Sequence, residues 1–128
     1  MRLAVLHGDL AVARLAPDQP VPIWAADATF SSVTRTPEEL SVVCAAEAVP
    51  EGVTVERGFR ALRVVGRLDF ALTGVLASIA GPLAAAKVSL FVVSTYDTDY
   101  VLVQGQSLRG AVEALRGAGH DILDEGGP

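Results

Sequence analysis

Residues 88–93, VSLFVV, are apolar at every position but Ser89. A strand of that kind needs cover on both faces, so the run predicts a central strand in a sheet with a packed layer. It belongs to a longer stretch, 87–94, and two further stretches, 61–65 and 100–104, also read as strands. Residues 74–87 carry Val75, Leu76, Ile79, Ala80 and Leu83 on one helical face, with Thr73 placed to cap it. Pro82 lacks a backbone donor and clashes with the preceding turn, which predicts a kink or restart near Gly81. A second helix is expected over 107–118, with Ser107 as N-cap and Leu108, Val112 and Leu115 as its stripe. Gly117 and Gly119 are available to end it. With a short strand at 121–123, the order becomes strand, helix, strand, strand, helix, strand. That order is the ferredoxin-like split βαβ unit, an α+β fold.

The first half repeats the pattern in worn form. Strands are expected at 3–7 and 11–15, joined as a hairpin about Gly8-Asp9. Two more, at 30–34 and 40–45, flank Thr36-Pro37-Glu38-Glu39, a turn or a single helical turn. A displacement of 61 sets Phe30 on Phe91, Thr34 on Thr95, Glu38 on Asp99 and Val42 on Val103. Pro17, Pro20 and Pro22 leave room for only a stunted helix at Ile23-Trp24-Ala25-Ala26. The expectation is two tandem halves: 1–58, degenerate and structural, and 59–128, complete.

A hydrophobic content of 51% supplies ample apolar surface for a core, which excludes disorder. No apolar run reaches the ~18 residues of a membrane span, and the N-terminal stretch is too short for a secretory signal. The net charge of −5 comes with no basic stripe: residues 1–58 hold 4 basic and 8 acidic groups, residues 59–128 hold 6 and 7. Neither nucleic acid nor a membrane is an expected partner. A single cysteine, Cys44, excludes an internal disulfide and fits a reducing, cytoplasmic setting, with the thiol as a small core residue.

Catalytic signatures are missing. There is no Gly-x-Ser-x-Gly, Walker loop, Gly-x-Gly-x-x-Gly or Cys-x-x-Cys. His7 and His120 have no metal-ligating neighbours at helical spacing, so each is expected to be a satisfied or exposed histidine. No catalytic residue, metal or cofactor is therefore assigned, and the chain is not expected to be an enzyme. Two clusters remain. Ser94-Thr95-Tyr96-Asp97-Thr98-Asp99-Tyr100 gathers three hydroxyls, two carboxylates and two aromatics between apolar strands, without the Gly or Asn usual in a tight hairpin. Such a group suits an α-amino acid, with a carboxylate for the ammonium and hydroxyls to orient it. It equally describes a solvated turn whose aspartates bond their own backbone. Asp69-Phe70-Ala71-Leu72-Thr73-Gly74 precedes the first long helix, whose free N–H groups suit a ligand carboxylate. An ordinary strand-to-helix loop reads the same way.

The run from Phe70 through Ala86, and Val88-Ser-Leu-Phe-Val-Val-Ser-Thr-Tyr-Asp-Thr-Asp-Tyr-Val-Leu-Val, resembles the ACT-domain subfamily of CASTOR-type amino-acid sensors and their small bacterial relatives. Phe30-Ser-Ser-Val-Thr-Arg-Thr-Pro-Glu-Glu-Leu-Ser-Val-Val resembles the stretch that precedes the domain in the bacterial members. The resemblance implies a non-catalytic regulatory module that pairs as a homodimer and holds a free amino acid at or near an ACT–ACT interface. It assigns ligand contacts to Asp69, Leu72, Thr73 and Gly74 on one side and Thr95, Tyr96 and Asp99 on the other. Leu72 stands where arginine-sensing members carry an acidic side chain, which turns the expectation toward a neutral amino acid. The alternative is a ligand-free protein-interaction or dimerisation module on the same scaffold. An amino-acid-handling enzyme is the weaker third reading, with no nucleophile–base pair to support it.

Overall fold

The structure is a computed structural model and describes residues 1–26, 30–66 and 73–124. Its elements are β1 (Arg2–Val5), β2 (Leu10–Leu15), β3 (Ser32–Arg35), β4 (Leu40–Ala45), β5 (Thr54–Val64), α1 (Val75–Ala85), β6 (Phe91–Ser94), β7 (Asp99–Gln104), α2 (Leu108–Gly117) and β8 (Asp121–Asp124). They form two compact units, Gly8–Phe59 and Met1–His7 with Arg60–Pro128. The first is thus an insertion in the second. The division falls between Phe59 and Arg60, one residue from the boundary expected after 58, and β1, expected in the first half, groups with the second unit.

In the second unit the strands run β6-β7-β5-β1-β8. β1 is antiparallel to β5 and parallel to β8, with Leu3 opposite Val64 and Ile122. This is the ferredoxin-like order with one strand slipped between the first and last of the repeat. Alternation sends Leu3, Val5, Leu62, Val64, Val101, Val103 and Ile122 to one face of the sheet. There they meet Ile79 and Leu83 of α1 and Ala111 and Leu115 of α2. Full burial of each such aliphatic side chain contributes about 1.5–3 kcal/mol.

In Gly8–Phe59 the order is β3-β4-β2 and then the first residues of β5, all antiparallel. Ala11, Ala13, Leu40, Val42 and Cys44 build its core with Ala25 and Val49. Cys44 is the small buried residue expected of it. Both helices of the repeat are reduced here to 3-10 turns, Ile23–Ala26 and Ala46–Ala48. The first is the stunted helix that the prolines predict.

The internal repeat is real but its displacement is 59, not 61. Position 32 matches 91, 40 matches 99 and 46 matches 105, so β3, β4 and the turn Ala46–Ala48 align with β6, β7 and the turn Gly105–Ser107. The hairpin turns align too. Thr36 N–H donates to Glu39 O at 2.9 Å and Thr95 N–H to Thr98 O at 2.8 Å. In each the threonine Oγ1 accepts the N–H three residues on, from Glu39 and from Thr98, both at 3.2 Å. Chance pairs such as Phe30 with Phe91 favoured the wrong displacement.

Other expectations also change. β1 and β2 do not form a hairpin at Gly8-Asp9, because the eleven-residue β5 offers each of them an antiparallel partner. Residues 88–93 are not a central strand. β6 begins at Phe91 and, among the described residues, pairs only with β7. Val88 is apolar because it closes α1: its N–H reaches Leu83 O at 2.9 Å, Lys87 takes the left-handed conformation (φ 61°), and its side chain packs into the core. Thr73 is not the N-cap of α1; Gly74 is, at φ 80°, where a side chain is strained. Nor does the helix restart near Gly81, since Val75–Ala85 is assigned without interruption. Ser107 is the N-cap of α2, though without a side-chain bond, and Gly119 at φ 96° follows its end as expected.

Candidate functional site

One end of the second unit is tied together by five hydrogen bonds. Thr98 is 6% exposed, and its hydroxyl donates to the Val64 carbonyl at the end of β5, 2.7 Å away. Val65 N–H donates to Arg2 O, and Asp121 N–H to Met1 O, both at 2.9 Å. His120, next in the chain to Asp121, directs Nε2 at Ser78 O at 2.9 Å, and Ser78 N–H in turn reaches Gly74 O. The β6–β7 hairpin, the last residues of β5 and the first turn of α1 therefore share one end of the fold. Of the two clusters singled out in the sequence, that end carries residues 94–100 of the first and Thr73 and Gly74 of the second.

Within it, Thr73 and Gly74 are exposed at the start of α1, where the first-turn N–H groups have no helical acceptor. Thr95 and Tyr96 occupy the hairpin turn, Tyr96 at 69% exposure, and Asp99 opens β7 opposite Ser94, half-buried. Asp69 and Leu72 lie outside the described residues. The hydroxyl of Thr95 is engaged in closing its turn, both accepting from Thr98 N–H and lying 3.1 Å from Thr98 O. The absence of Gly and Asn from this connection is thereby explained: a threonine hydroxyl replaces their conformational freedom. Thr98 was not among the residues assigned to the site, yet it joins the hairpin to β5. Its signal in the sequence is the Thr-x-x-Thr spacing.

A carboxylate at the close of a hydroxyl-bearing turn and uncapped helix N–H groups at the same end of the unit are the kinds of donor and acceptor that a zwitterion uses. Among the described residues no cluster of His, Cys, Asp or Glu is able to hold a metal ion. His120 is buried and hydrogen-bonded, as expected of a satisfied histidine. His7 is exposed, 4.0 Å from Asp124. No helix among the described residues is long and apolar enough to cross a membrane.

Comparison with known proteins agrees with the fold. A solved structure from Agrobacterium tumefaciens, protein Atu0741, superposes with a TM-score of 0.93 at 36% identity, over 98% of this chain and 94% of that one. A protein of unknown function from Vibrio cholerae superposes at 0.73 and 21% identity, over 91% and 88%. The regulatory subunit of aspartate kinase from Thermus thermophilus, at 0.64 and 14% identity over 91% and 97%, shares the fold. Among curated proteins, the cytosolic arginine sensor for mTORC1 subunit 1 of Homo sapiens is 39% identical over 59 residues, 45% of this chain. That match spans only 18% of the sensor's length. A model of an N-terminal domain matches residues 8–52, the inserted unit, and the ACT domain model matches residues 54–117. The chain belongs to the ACT-domain family.

Proposed function

We propose that the hairpin end of the second unit binds a free amino acid and that the chain acts as a homodimeric regulatory module. The observation that supports this is that the β6–β7 hairpin and the first turn of α1 lie at the same end of the unit, the hairpin held to the end of β5 by the Thr98–Val64 hydrogen bond and α1 held to the start of β8 by the His120–Ser78 hydrogen bond. In this reading Asp99 receives the ammonium, the N–H groups at Thr73 and Gly74 receive the carboxylate, and Tyr96 covers the site. Asp69, Leu72 and Thr95 complete it. The similarity to an arginine sensor supports the ligand class, while an apolar Leu72 favours a neutral side chain over arginine. Regulation follows if the ligand prefers one dimer geometry, or one partner-bound state, over another.

A thermal-shift screen against the proteinogenic amino acids tests it. A ligand at about 100 times its dissociation constant adds about 2.7 kcal/mol, several degrees for a domain of this size. A neutral amino acid is expected to raise the melting temperature, and sedimentation to report a dimer. If no amino acid shifts it at millimolar concentration, the module does not sense one. The engagement of the Thr95 hydroxyl in its own turn favours the second reading, a ligand-free interaction module on the ACT scaffold.

A further inference from the structure

A cleft of about 300 Å³ opens in the second unit between α2 and the ends of β1 and β8. It lies at the sheet end away from the β6–β7 hairpin, since it is lined by Val5 and Asp124 and not by Arg2 and Asp121 at the other end of the same register. Its size is at the lower end of small-molecule pockets. Val5, Leu108, Val112 and Ile122 make the wall apolar, and among the described residues Arg60, Arg116 and His7 line it with one carboxylate, Asp124.

The two guanidinium groups are held in place but not neutralised. Arg60 Nη2 donates to Leu6 O and Arg116 Nη2 to Ile122 O, both at 3.0 Å. Both acceptors are uncharged backbone carbonyls, and among the described residues neither arginine is paired with a carboxylate. The Nε–H of Arg60 is buried with no acceptor at all. An unfilled donor on a charged group beside an apolar wall is costly unless something supplies the acceptor. In a chain with a net charge of −5, two unneutralised cations in one cleft stand out. The carboxylate that is present, Asp124, sits 4.0 Å from His7 at the rim. It repels a second negative charge and so favours a monoanion.

We infer that this cleft is a ligand site for a small organic monocarboxylate with an apolar tail, its carboxylate on Arg60 and Arg116 and its tail on Val5, Leu108, Val112 and Ile122. Planar guanidinium donors match a carboxylate in geometry, and the apolar wall distinguishes such a ligand from inorganic anions. The site is separate from the hairpin end and does not rest on the function proposed for it.

The test is titration of the full chain with 3-methylbutanoate, followed by backbone amide NMR. The comparators are 3-methylbutan-1-ol, which lacks the charge, and inorganic phosphate, which lacks the tail. Saturable shifts at Val5, His7, Leu108, Val112 and Ile122 are expected in the millimolar range, as suits a ligand of so few atoms. Both comparators should bind about tenfold more weakly or worse, and Arg60→Gln should weaken 3-methylbutanoate about tenfold or more. Arg116→Gln, at an exposed helix position that the fold tolerates, should weaken it as well. The inference is overturned by shifts confined to residues 95–99, by the absence of saturable shifts, by phosphate or the alcohol binding equally well, or by unchanged affinity in both variants.

Discussion

His120 donates its Nε2–H to the Ser78 carbonyl at 2.9 Å, the acceptor that Pro82, four residues further along α1, leaves without a helical partner. A carbonyl only accepts, so Nε2 carries the proton, and Nδ1 is left buried without a hydrogen bond. The helix passes its proline because a side chain from outside supplies the missing donor. His120→Ala should therefore cost about 1–3 kcal/mol, the penalty for stranding a buried acceptor, beyond any packing loss. Pro82→Ala restores an N–H for Ser78 O, and in that background the same change should cost about 1 kcal/mol less. Urea denaturation of the four proteins of the cycle measures the coupling, and strictly additive losses would refute it.

Thr98→Val keeps the shape of a β-branched side chain and removes the hydroxyl that reaches Val64 O. A loss of about 1–3 kcal/mol is expected, read as a melting temperature lower by several degrees. Thr36→Val, which opens the equivalent turn of the inserted unit at the surface, should cost less, about 0.5–1.5 kcal/mol. A loss on Thr98→Val below about 0.5 kcal/mol would mean that the hydroxyl bond to β5 contributes little to stability.

Asp99→Asn separates the sensor from the scaffold. If the carboxylate receives a ligand ammonium, affinity for the best amino acid should fall roughly ten- to a hundredfold while apo stability is kept. Calorimetry and a melting curve on the same variant decide it. A lower melting temperature with undiminished affinity would take Asp99 out of the site.

Lys87 holds φ at 61°, a conformation that costs a side-chain-bearing residue about 1–2 kcal/mol. Lys87→Gly relieves it but adds freedom to the unfolded chain, worth about 0.4–1 kcal/mol in the other direction. The net expectation is a gain of up to about 1 kcal/mol in denaturant titration. A clear loss would show that the lysine side chain contributes something the backbone geometry does not reveal.

Much of this fold was legible because α1, α2, β4 and β7 each carry a face that only one period explains. Residues 88–93 misled because the apolarity of Val88 belongs to a helix cap and that of Phe91–Val93 to a strand, and no single period separates the two. β1 misled for a different reason. Leu3 and Val5 announce a strand, but nothing local states that its partners are residues 62–64 and 121–124. At the candidate site the residue types were visible, but only family resemblance, and no local pattern, proposed pairing the two clusters. That the Thr95 hydroxyl closes its own turn, and that Thr98 carries the link to β5, depends on backbone geometry that composition does not encode.

The slipped strand has a kinetic consequence. β1 lies between β5 and β8, so its pairing with Asp121–Asp124 closes a loop that holds nearly every residue described. Such distant contacts raise contact order and slow folding, since the entropy of closure is lost before the contact forms. During synthesis β1 is made more than a hundred residues before β8, while the inserted unit has every one of its own strands in hand by Phe59. That unit is expected to fold early, with β1 left uncompleted until β8 emerges. A fragment limited to the matched segment 54–117 would lack both β1 and β8. It would present the edge of β5 unpaired, an invitation to aggregate rather than a minimal domain.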